Sequence, residues 1–343
     1  MRYYVTGAAG HLGTAIVNEL ARKVPASDIQ LGVYDISAES PCVGRGFDIG
    51  RVDYSDRNIL TAAFYNEDVV IYIPAHDPDS YHAVRDLEHV IDACKRAGVK
   101  HIVTTGFIGD QAANPFSRSA YYGYVSRRLA EFNSIGWTLV REGVFTRTIT
   151  RNFDRAIHDG AIVAPCEEGA VSFVDIQDVA EAIADIVTDM DLLRSGRTYT
   201  LTQGKPTTMT ELARLLTEVT GTEVAYRPMP LNDFERMCNK EFAASARKAR
   251  GQKHLPAFDQ NPGERFIGGV SAAERATGHG TVGHMFASEA RAAALGMLSE
   301  TSGDFKSITG RDPKSLEGSL RAAWNAKQRK QQAARPAEAT VTD

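Results

Sequence analysis

A glycine-rich turn near the start of the chain constrains the fold more than any other feature. A short apolar run, Tyr3–Val5, is followed by Gly7, Gly10 and Gly13, and an amphipathic segment continues from there. Glycines at this spacing allow a tight turn, a close approach of the backbone to phosphate, and close packing of helix on strand. Unpaired N–H groups at a helix N-terminus also favour negative charge. The pattern therefore predicts a pyrophosphate-binding turn, with an ordinary strand–helix turn as the alternative.

The first half of the chain alternates short apolar runs with helical patterns. The run Val69–Ile73 is apolar throughout, which is typical of a central strand in a parallel sheet. A helical stripe over 84–94 follows it, and the pattern ends at Gly98. Further strands are predicted at 3–5, 29–34, 47–52, 101–105 and 137–140. The alternation predicts an α/β protein with a Rossmann-type, doubly wound parallel sheet.

The second half is less regular and predicts a smaller, mostly helical C-terminal substrate-binding region. We expect residues 1–150 to form the nucleotide-binding domain, and 171–203 to return and pack on it. The substrate-binding region then comprises 151–170 and 204–325. Residues 326–343 are polar and of low complexity, which predicts a disordered tail.

The composition excludes several classes of function. The net charge is −4 with interspersed signs, so the chain has no field that would recruit nucleic acid or an anionic membrane. The four cysteines lie far apart without a C-x-x-C pair, as is typical of reduced cytosolic thiols. The start of the chain is not a basic-apolar leader, and no apolar run is long enough to span a bilayer. We therefore expect a cytoplasmic protein.

An acidic residue after the second strand favours one dinucleotide over another. Asp35 lies 22 residues after Gly13, where a carboxylate accepts hydrogen bonds from ribose hydroxyls and repels a 2′-phosphate. This predicts NAD(H) as the preferred cofactor, although a helix or turn cap is the alternative role for Asp35. NADP(H) stays possible because Arg45 offers a phosphate a partner. The candidate cofactor-binding residues of these segments are Thr6, Gly7, Gly10, His11, Leu12, Gly13, Asp35, Asp53, Tyr54, Pro74 and Ala75.

With these residues in place, the chain resembles the NmrA-like branch of the atypical short-chain dehydrogenases/reductases. Within that branch it is most similar to bacterial NAD(P)H:quinone oxidoreductases. The motifs that carry the resemblance include Thr6–Gly13, Ala97–Lys100, Trp137–Gly143, Phe173–Ala180 and Thr309–Leu316. The resemblance implies a Rossmann domain and an NAD(P)H-dependent reductase that transfers a hydride to a small quinone or conjugated carbonyl.

The same resemblance implies where a proton donor would lie. Enzymes of the superfamily generally pair a tyrosine acid with a lysine four residues later, and here Tyr124 and Arg128 have that spacing. Arg128 takes the place of that lysine, so it is also a candidate for contact with the cofactor ribose. The frequent catalytic serine falls at or beside Gly106, which leaves Thr105 as the nearest hydroxyl. The candidate catalytic residues are thus Tyr124, Arg128 and Thr105, with packing and surface roles as the alternative.

Two other functions stay open at this stage. The branch contains non-catalytic dinucleotide sensors that regulate a partner protein, and a missing tyrosine–lysine pair is what such a sensor would show. An epimerase or dehydratase with tightly held NAD is a third possibility.

His76 is a weaker candidate for contact with the nicotinamide, and Glu142 either acts in the substrate cleft or caps the next segment. His279 and His284 lack a carboxylate or cysteine at ligand spacing, so we expect no metal site. Besides a small-molecule substrate, a homodimer or a regulatory protein is a possible partner.

Overall fold

The computed structural model describes residues 1–34, 45–75, 80–131, 134–250 and 281–333, with only the backbone described over 244–250. The strands are β1 (Tyr3–Val5), β2 (Ile29–Val33), β3 (Asp48–Arg51), β4 (Val69–Tyr72), β5 (His101–Phe107), β6 (Gly136–Glu142), β7 (Val144–Phe145), β8 (Ala161–Ala164), β9 (Ala170–Val171), β10 (Phe173–Val174), β11 (Arg197–Leu201), β12 (Thr207–Thr208) and β13 (Ala225–Pro228). The α-helices are α1 (His11–Leu20), α2 (Arg57–Ala63), α3 (Ser80–Ala97), α4 (Ser119–Ala130), α5 (Arg147–Thr150), α6 (Phe153–Asp159), α7 (Ile176–Thr188), α8 (Met209–Thr220), α9 (Leu231–Arg250), α10 (Val282–Ala294), α11 (Asp304–Thr309) and α12 (Leu316–Ala333).

Seven strands form one parallel sheet in the order β11-β6-β5-β4-β1-β2-β3. The central strand β1 pairs with two neighbours at once, so Tyr3 lies between Ile29 of β2 and Val69 of β4. The strand order reverses at β1 and β4, and ligands of such sheets bind in the crevice outside the carboxyl ends of the strands there. The predicted Rossmann-type sheet is confirmed.

Helices cover both faces of the sheet because successive strand residues point to opposite sides. Tyr3 and Val5 of β1 belong to the core under α1 and α7, whereas Tyr4 belongs to the core under α2, α3 and α4. Ile16, Val17, Leu20, Ile183 and Ile186 are fully buried where α1 and α7 meet. The two layers place the start of α1 and the start of α4 at the same edge of the sheet.

A third core holds the C-terminal region together beyond the sheet edge. It gathers apolar residues from α6, α8, α10 and α12 around Phe153, Leu212 and Leu320. Helix α8 begins with the capping box that Thr208 and Glu211 predict, since each side chain binds the other residue's backbone N–H. The part of the chain between α6 and α8 returns to the sheet, where β11 pairs with β6 and α7 packs on α1.

The end of the chain differs from the prediction of a tail that starts at 326. Helix α12 continues to Ala333, because the alanine, glutamine and lysine residues there are good helix formers even where the helix is solvated. The predicted tail beyond 333 lies outside the described residues. Across the ranges that the structure describes, no helix has both the length and the apolar character needed to cross a bilayer.

Candidate nucleotide site and substrate cleft

The glycine turn closes tightly onto the start of α1. Gly7 has a left-handed backbone with φ of 60°, and the Gly10 N–H donates to the Gly7 carbonyl oxygen at 2.9 Å. A Cβ on Gly13 would lie 2.2 Å from that same oxygen, so no larger residue fits. Gly10 caps α1 without a side-chain hydrogen bond, and the first N–H groups of a helix have no partner within it. This cradle suits a pyrophosphate.

Thr6 and Tyr54 hold the turn against β4. The Thr6 hydroxyl accepts a hydrogen bond from the Ile73 N–H at 2.9 Å, and the Tyr54 hydroxyl donates to the Ile73 carbonyl oxygen at 3.3 Å. Both side chains are buried, and burial raises the pKa of Tyr54 above its usual value. These two predicted cofactor residues therefore shape the site through the backbone of β1 and β4.

Other predicted cofactor residues line the same edge of the sheet. Asp53 follows β3, where its carboxylate accepts hydrogen bonds from the Ser55 N–H and hydroxyl. Pro74 and Ala75 follow β4, and the Ala75 carbonyl oxygen accepts a hydrogen bond from Arg118 at 3.3 Å. The Leu12 side chain is 8% exposed and packs in the core, so only its backbone can face a ligand.

Two further predicted contacts, Asp35 and His76, lie outside the described residues. Arg45, which left NADP(H) possible, donates a hydrogen bond to the Asn18 side chain of α1 at 2.6 Å. Its guanidinium also lies 5.3 Å from the centre of the Phe47 ring. The Arg45 guanidinium is therefore a cation beside the outer surface of α1.

His11, the first residue of α1, contacts an arginine that sequence reasoning missed. Arg147 of α5 lies with its Nη2 2.7 Å from Nε2 of His11. Since a guanidinium only donates, Nε2 must accept and the imidazole is neutral. Burial and then the charge of Arg147 lower the pKa of His11. Burial and the nearby Arg151 also lower the pKa of Arg147, the cation that lies beside the N-terminus of α1. The only sequence signal was the arginine-rich stretch after β6.

Arg147→Met is expected to weaken nucleotide binding about 10- to 100-fold, because a cation beside a bound phosphate contributes roughly 1.5–3 kcal/mol as a charged hydrogen bond. Titration calorimetry with NADH and NADPH at low and at high salt measures this change, and the loss should shrink as salt increases. Arg214→Met is the matched control, since Arg214 forms an exposed pair with Glu218 on α8. Equal affinity of the Arg147 variant and the wild type would contradict this role.

Tyr124 and Arg128 come together on one face of α4, as their spacing predicts, but both bind Glu88 of α3. The Tyr124 hydroxyl donates to Glu88 Oε1 at 2.6 Å, and Arg128 donates to both carboxylate oxygens at 2.6 and 3.1 Å. Tyr124 also packs against the core beneath α3 and α4. The geometry favours the packing alternative, and the catalytic role stays a prediction. Thr105 lies within β5 opposite Val140 and is 5% exposed.

An aromatic cluster of Phe107, Phe116 and Tyr122 lies where β5 ends and α4 begins, and it is a candidate wall of the predicted substrate cleft. Tyr122 of α4 has its ring centre 5.5 Å from that of Phe107 and is stacked on Phe116 at 6.2 Å. The buried Arg118 lies 5.3 Å from the Tyr122 ring and reaches the Ala75 carbonyl oxygen. Tyr122 and Phe107 keep part of their surface exposed. The contact with Ala75 connects this cleft to the predicted nicotinamide end of the site.

Buried polar groups without partners lie beside this cleft, at the ends of β6 and β11. Among the described residues, Oε1 of Glu142, the Ser172 hydroxyl and both amide atoms of Gln203 have no hydrogen-bond partner. Burial raises the pKa of Glu142 well above its usual value and so favours the protonated carboxyl. Helix α5 begins after Thr146, so Glu142 does not cap it. Leaving buried polar groups unsatisfied is costly, so water or a polar ligand would be expected to bind them.

A second acidic residue, Glu289 on α10, lies near Tyr122 and was not found from the sequence. Helix α10 is attached to the start of α4 because the Ser117 N–H donates to the Ser288 hydroxyl at 3.0 Å. Burial raises the pKa of Glu289 to about 7, and the charge of Arg151 opposes this shift. Glu289 also raises the pKa of Tyr122, as does Glu142, so the phenol lies near two carboxyl groups. No spacing signal links residues that are so far apart in the chain.

A metal site is not seen among the residues that the structure describes, where no three histidine, cysteine or acidic side chains come together. His284 lies 3.6 Å from Glu235 of α9, and its backbone N–H donates to the Thr281 hydroxyl that caps α10. His279 is outside the described ranges.

Comparison with known proteins identifies relatives that are similar to this chain in sequence and in fold. The chain is 27% identical to quinone oxidoreductase 2 of Escherichia coli (strain K12) over 232 residues, which are 67% of this chain and 78% of that protein. A solved nucleoside-diphosphate-sugar epimerase from Staphylococcus aureus has a TM-score of 0.76 and 27% identity, over 94% of this chain and 100% of the other. The Citrobacter sp. triphenylmethane reductase complexed with NADP(H) has a TM-score of 0.73 and 25% identity, over 94% and 99%. The NmrA-like family model matches residues 2–254, and the chain belongs to that family.

Proposed function

We propose that this protein is an NAD(P)H-dependent reductase that transfers a hydride to a small quinone or conjugated carbonyl. The observation that carries the proposal is that a turn suited to pyrophosphate and a partly exposed aromatic cluster share one edge of the sheet, connected by the contact between Arg118 and Ala75. Relatives named as a quinone oxidoreductase and an NADP(H)-binding reductase support this reading.

The residues present fit a dinucleotide along this edge. The Gly7–Gly13 turn, the start of α1 and Arg147 would hold the pyrophosphate, and Asp53 would lie near the adenosine. Pro74 and Ala75 would lie beside the nicotinamide ring, whose bound reduced form supplies a hydride. Phe107, Phe116 and Tyr122 would orient a planar substrate and exclude water from it. Thr105, Tyr124 and Arg128 stay the predicted catalytic candidates.

We further propose that the protein prefers NAD(H) and accepts NADP(H). The preference rests on Asp35, because a carboxylate at the end of the second strand repels a 2′-phosphate. The ratio of kcat/KM for NADH to that for NADPH measures it, and a ratio below one would contradict the preference while leaving the reductase assignment intact.

Purified protein is expected to oxidise NADH when a small quinone is supplied. Absorbance at the wavelength of reduced nicotinamide measures the rate across a panel of quinones and enones. Gly10→Glu is the matched control, because its side chain brings bulk and negative charge to the pyrophosphate position and should abolish turnover. The absence of NADH oxidation across the whole panel would contradict the proposal. Nucleotide that co-purifies and does not exchange would instead indicate an epimerase or dehydratase.

A second candidate function is a dinucleotide sensor without turnover that regulates a partner protein. The observation that favours it is that Glu88 engages both Tyr124 and Arg128, so this pair does not face the cleft as an acid and its lysine would. Tight nucleotide binding by calorimetry, together with no NADH oxidation and a partner recovered by pull-down, would support the sensor over the reductase.

A further inference from the structure

Three tyrosines lie close together on α4, and their surroundings differ. The Tyr121 side chain is fully buried in the core under α3, and the Tyr124 hydroxyl is bound to a carboxylate of α3 at 2.6 Å. Tyr122 keeps part of its surface exposed, and its ring contacts Phe107 at the end of β5 and Phe116 before α4. Of the three phenols, that of Tyr122 therefore combines partial exposure with a place in the aromatic cluster.

A buried arginine lies one helical turn before Tyr122. Arg118 immediately precedes α4, and the Tyr122 N–H donates to its carbonyl oxygen at 3.1 Å. Residues at this spacing are neighbours on one face of a helix. The Arg118 guanidinium accordingly lies 5.3 Å from the centre of the Tyr122 ring. The phenol therefore has a fixed positive charge beside it, and such a charge stabilises a phenolate.

The same arginine connects Tyr122 to the crevice of the sheet. Nη1 of Arg118 donates to the Ala75 carbonyl oxygen at 3.3 Å, and Ala75 follows β4 by three residues. The strand order reverses at β1 and β4, and ligands of such sheets bind outside the strand ends at that point. The Gly7–Gly13 turn follows β1 at this same edge. A substrate that lies between the nucleotide and the aromatic cluster would thus meet the Tyr122 side chain.

We infer that Tyr122 is a catalytic residue of the reductase whose phenol gives a proton to the substrate oxygen, and that Arg118 is a positioning residue that stabilises the resulting phenolate. This inference rests on the proposed function. In the step, a quinone is reduced to a hydroquinone by gaining a hydride and a proton, and the dihydronicotinamide is oxidised by losing the hydride. The O–H bond of Tyr122 breaks as a new O–H bond forms on the substrate, and solvent water returns a proton to the phenolate.

The groups around the Tyr122 phenol act on it in opposite directions. Burial raises its pKa, and so do the charges of Glu142 and Glu289, whereas the charge of Arg118 and a hydrogen bond from it lower the pKa. The net pKa is raised, so the phenol holds its proton until a hydride reaches the substrate. The substrate oxygen then becomes basic enough to take that proton.

The first test removes only the hydroxyl. Tyr122→Phe keeps the ring that contacts Phe107 and Phe116, and it is expected to lower kcat with a quinone about 100-fold. A cationic triarylmethane dye becomes neutral on gaining a hydride alone, so kcat with the dye should change by less than about twofold. The affinity for NADH, measured by calorimetry, should stay unchanged. Tyr65→Phe, at an exposed position after α2, is the matched control and should leave both rates unchanged.

The second test asks whether Arg118 acts through the phenol. Arg118→Met should lower the ratio of the quinone rate to the dye rate about tenfold, because the phenolate loses its neighbouring charge. Arg118→Lys keeps that charge and should recover most of the ratio. In the Tyr122→Phe background, Arg118→Met should leave the ratio unchanged, since no phenolate forms there. A merely structural arginine would instead lower both rates together and would not move their ratio.

Three results would overturn the inference. These are an unchanged quinone rate in Tyr122→Phe, an equal loss with both acceptors, or a larger loss of the quinone rate in Tyr124→Phe than in Tyr122→Phe. If the wild type reduces quinones but not the dye, the quinone rates of these variants and their affinities for NADH decide between the same outcomes. Wild-type turnover of the dye without turnover of any quinone would also exclude this role. If the wild type oxidised NADH with neither acceptor, the proposed function itself would fail, and this result is distinct from the others.

Discussion

Gly13→Ala is expected to raise the dissociation constant for NADH and NADPH at least about 100-fold, because a displacement of about 1 Å at a well-fitted site costs that much. The added methyl carbon would lie 2.2 Å from the Gly7 carbonyl oxygen and 2.8 Å from the Ala8 Cα. Both neighbours are backbone atoms, so the clash can be relieved only by moving the turn away from α1. That movement takes the N–H groups of the turn and the helix out of register with a pyrophosphate.

Titration calorimetry measures the affinity, and thermal unfolding shows whether the variant is still folded. Gly204→Ala is the matched control, because a Cβ there meets nothing within 4 Å. It should bind nucleotide as the wild type does. A folded Gly13→Ala variant with wild-type affinity would show that the nucleotide does not depend on this turn.

Arg141→Met is expected to lower the free energy of unfolding by about 3 kcal/mol, as is typical when one partner of a buried ionic network is removed. Arg141 of β6 is 14% exposed and donates to Asp110 at 2.9 Å and to both oxygens of Glu300 at 2.7 Å. It also donates to the Thr200 hydroxyl of β11 at 3.0 Å. Without the guanidinium, two carboxylates would face each other over an apolar side chain.

Denaturant or thermal unfolding of the variant and the wild type measures this loss. Arg194→Met is the control, because Arg194 and Asp191 form an exposed pair of the kind that contributes under about 0.5 kcal/mol. If both variants lost the same free energy of unfolding, the network around Arg141 would contribute no more stability than a surface ion pair.

The fold could be predicted from the sequence because its signals are local. The glycine turn, the apolar run of β4 and the capping box before α8 each depend on residues within one or two turns of each other. Their conformations follow from backbone sterics and from alternating burial, which neighbouring residues largely determine. The end of the chain was mispredicted for a related reason, since a polar composition does not distinguish a solvated helix such as the last turns of α12 from a disordered tail.

The contacts of the catalytic candidates could not be predicted from the residues near them in the chain. The spacing of Tyr124 and Arg128 correctly placed them on one face of α4, but their spacing carries no information about the helix that packs against that face. Glu88 of α3 lies there and binds both side chains. In contrast, Tyr122 lies two residues earlier, on a face that looks towards the end of β5 and the cleft.

The sequence by itself determined the nucleotide turn, the parallel sheet and the family, because these follow from glycine geometry and from hydrophobic periodicity. Only the tertiary structure decided which side chains from distant parts of the chain lie close together. His11 and Arg147 are brought together from α1 and α5, and Tyr122 and Glu289 from α4 and α10. The physical reason is that packing of whole helices on a sheet sets these distances, and burial between them then sets the pKa of Glu289 and Glu142.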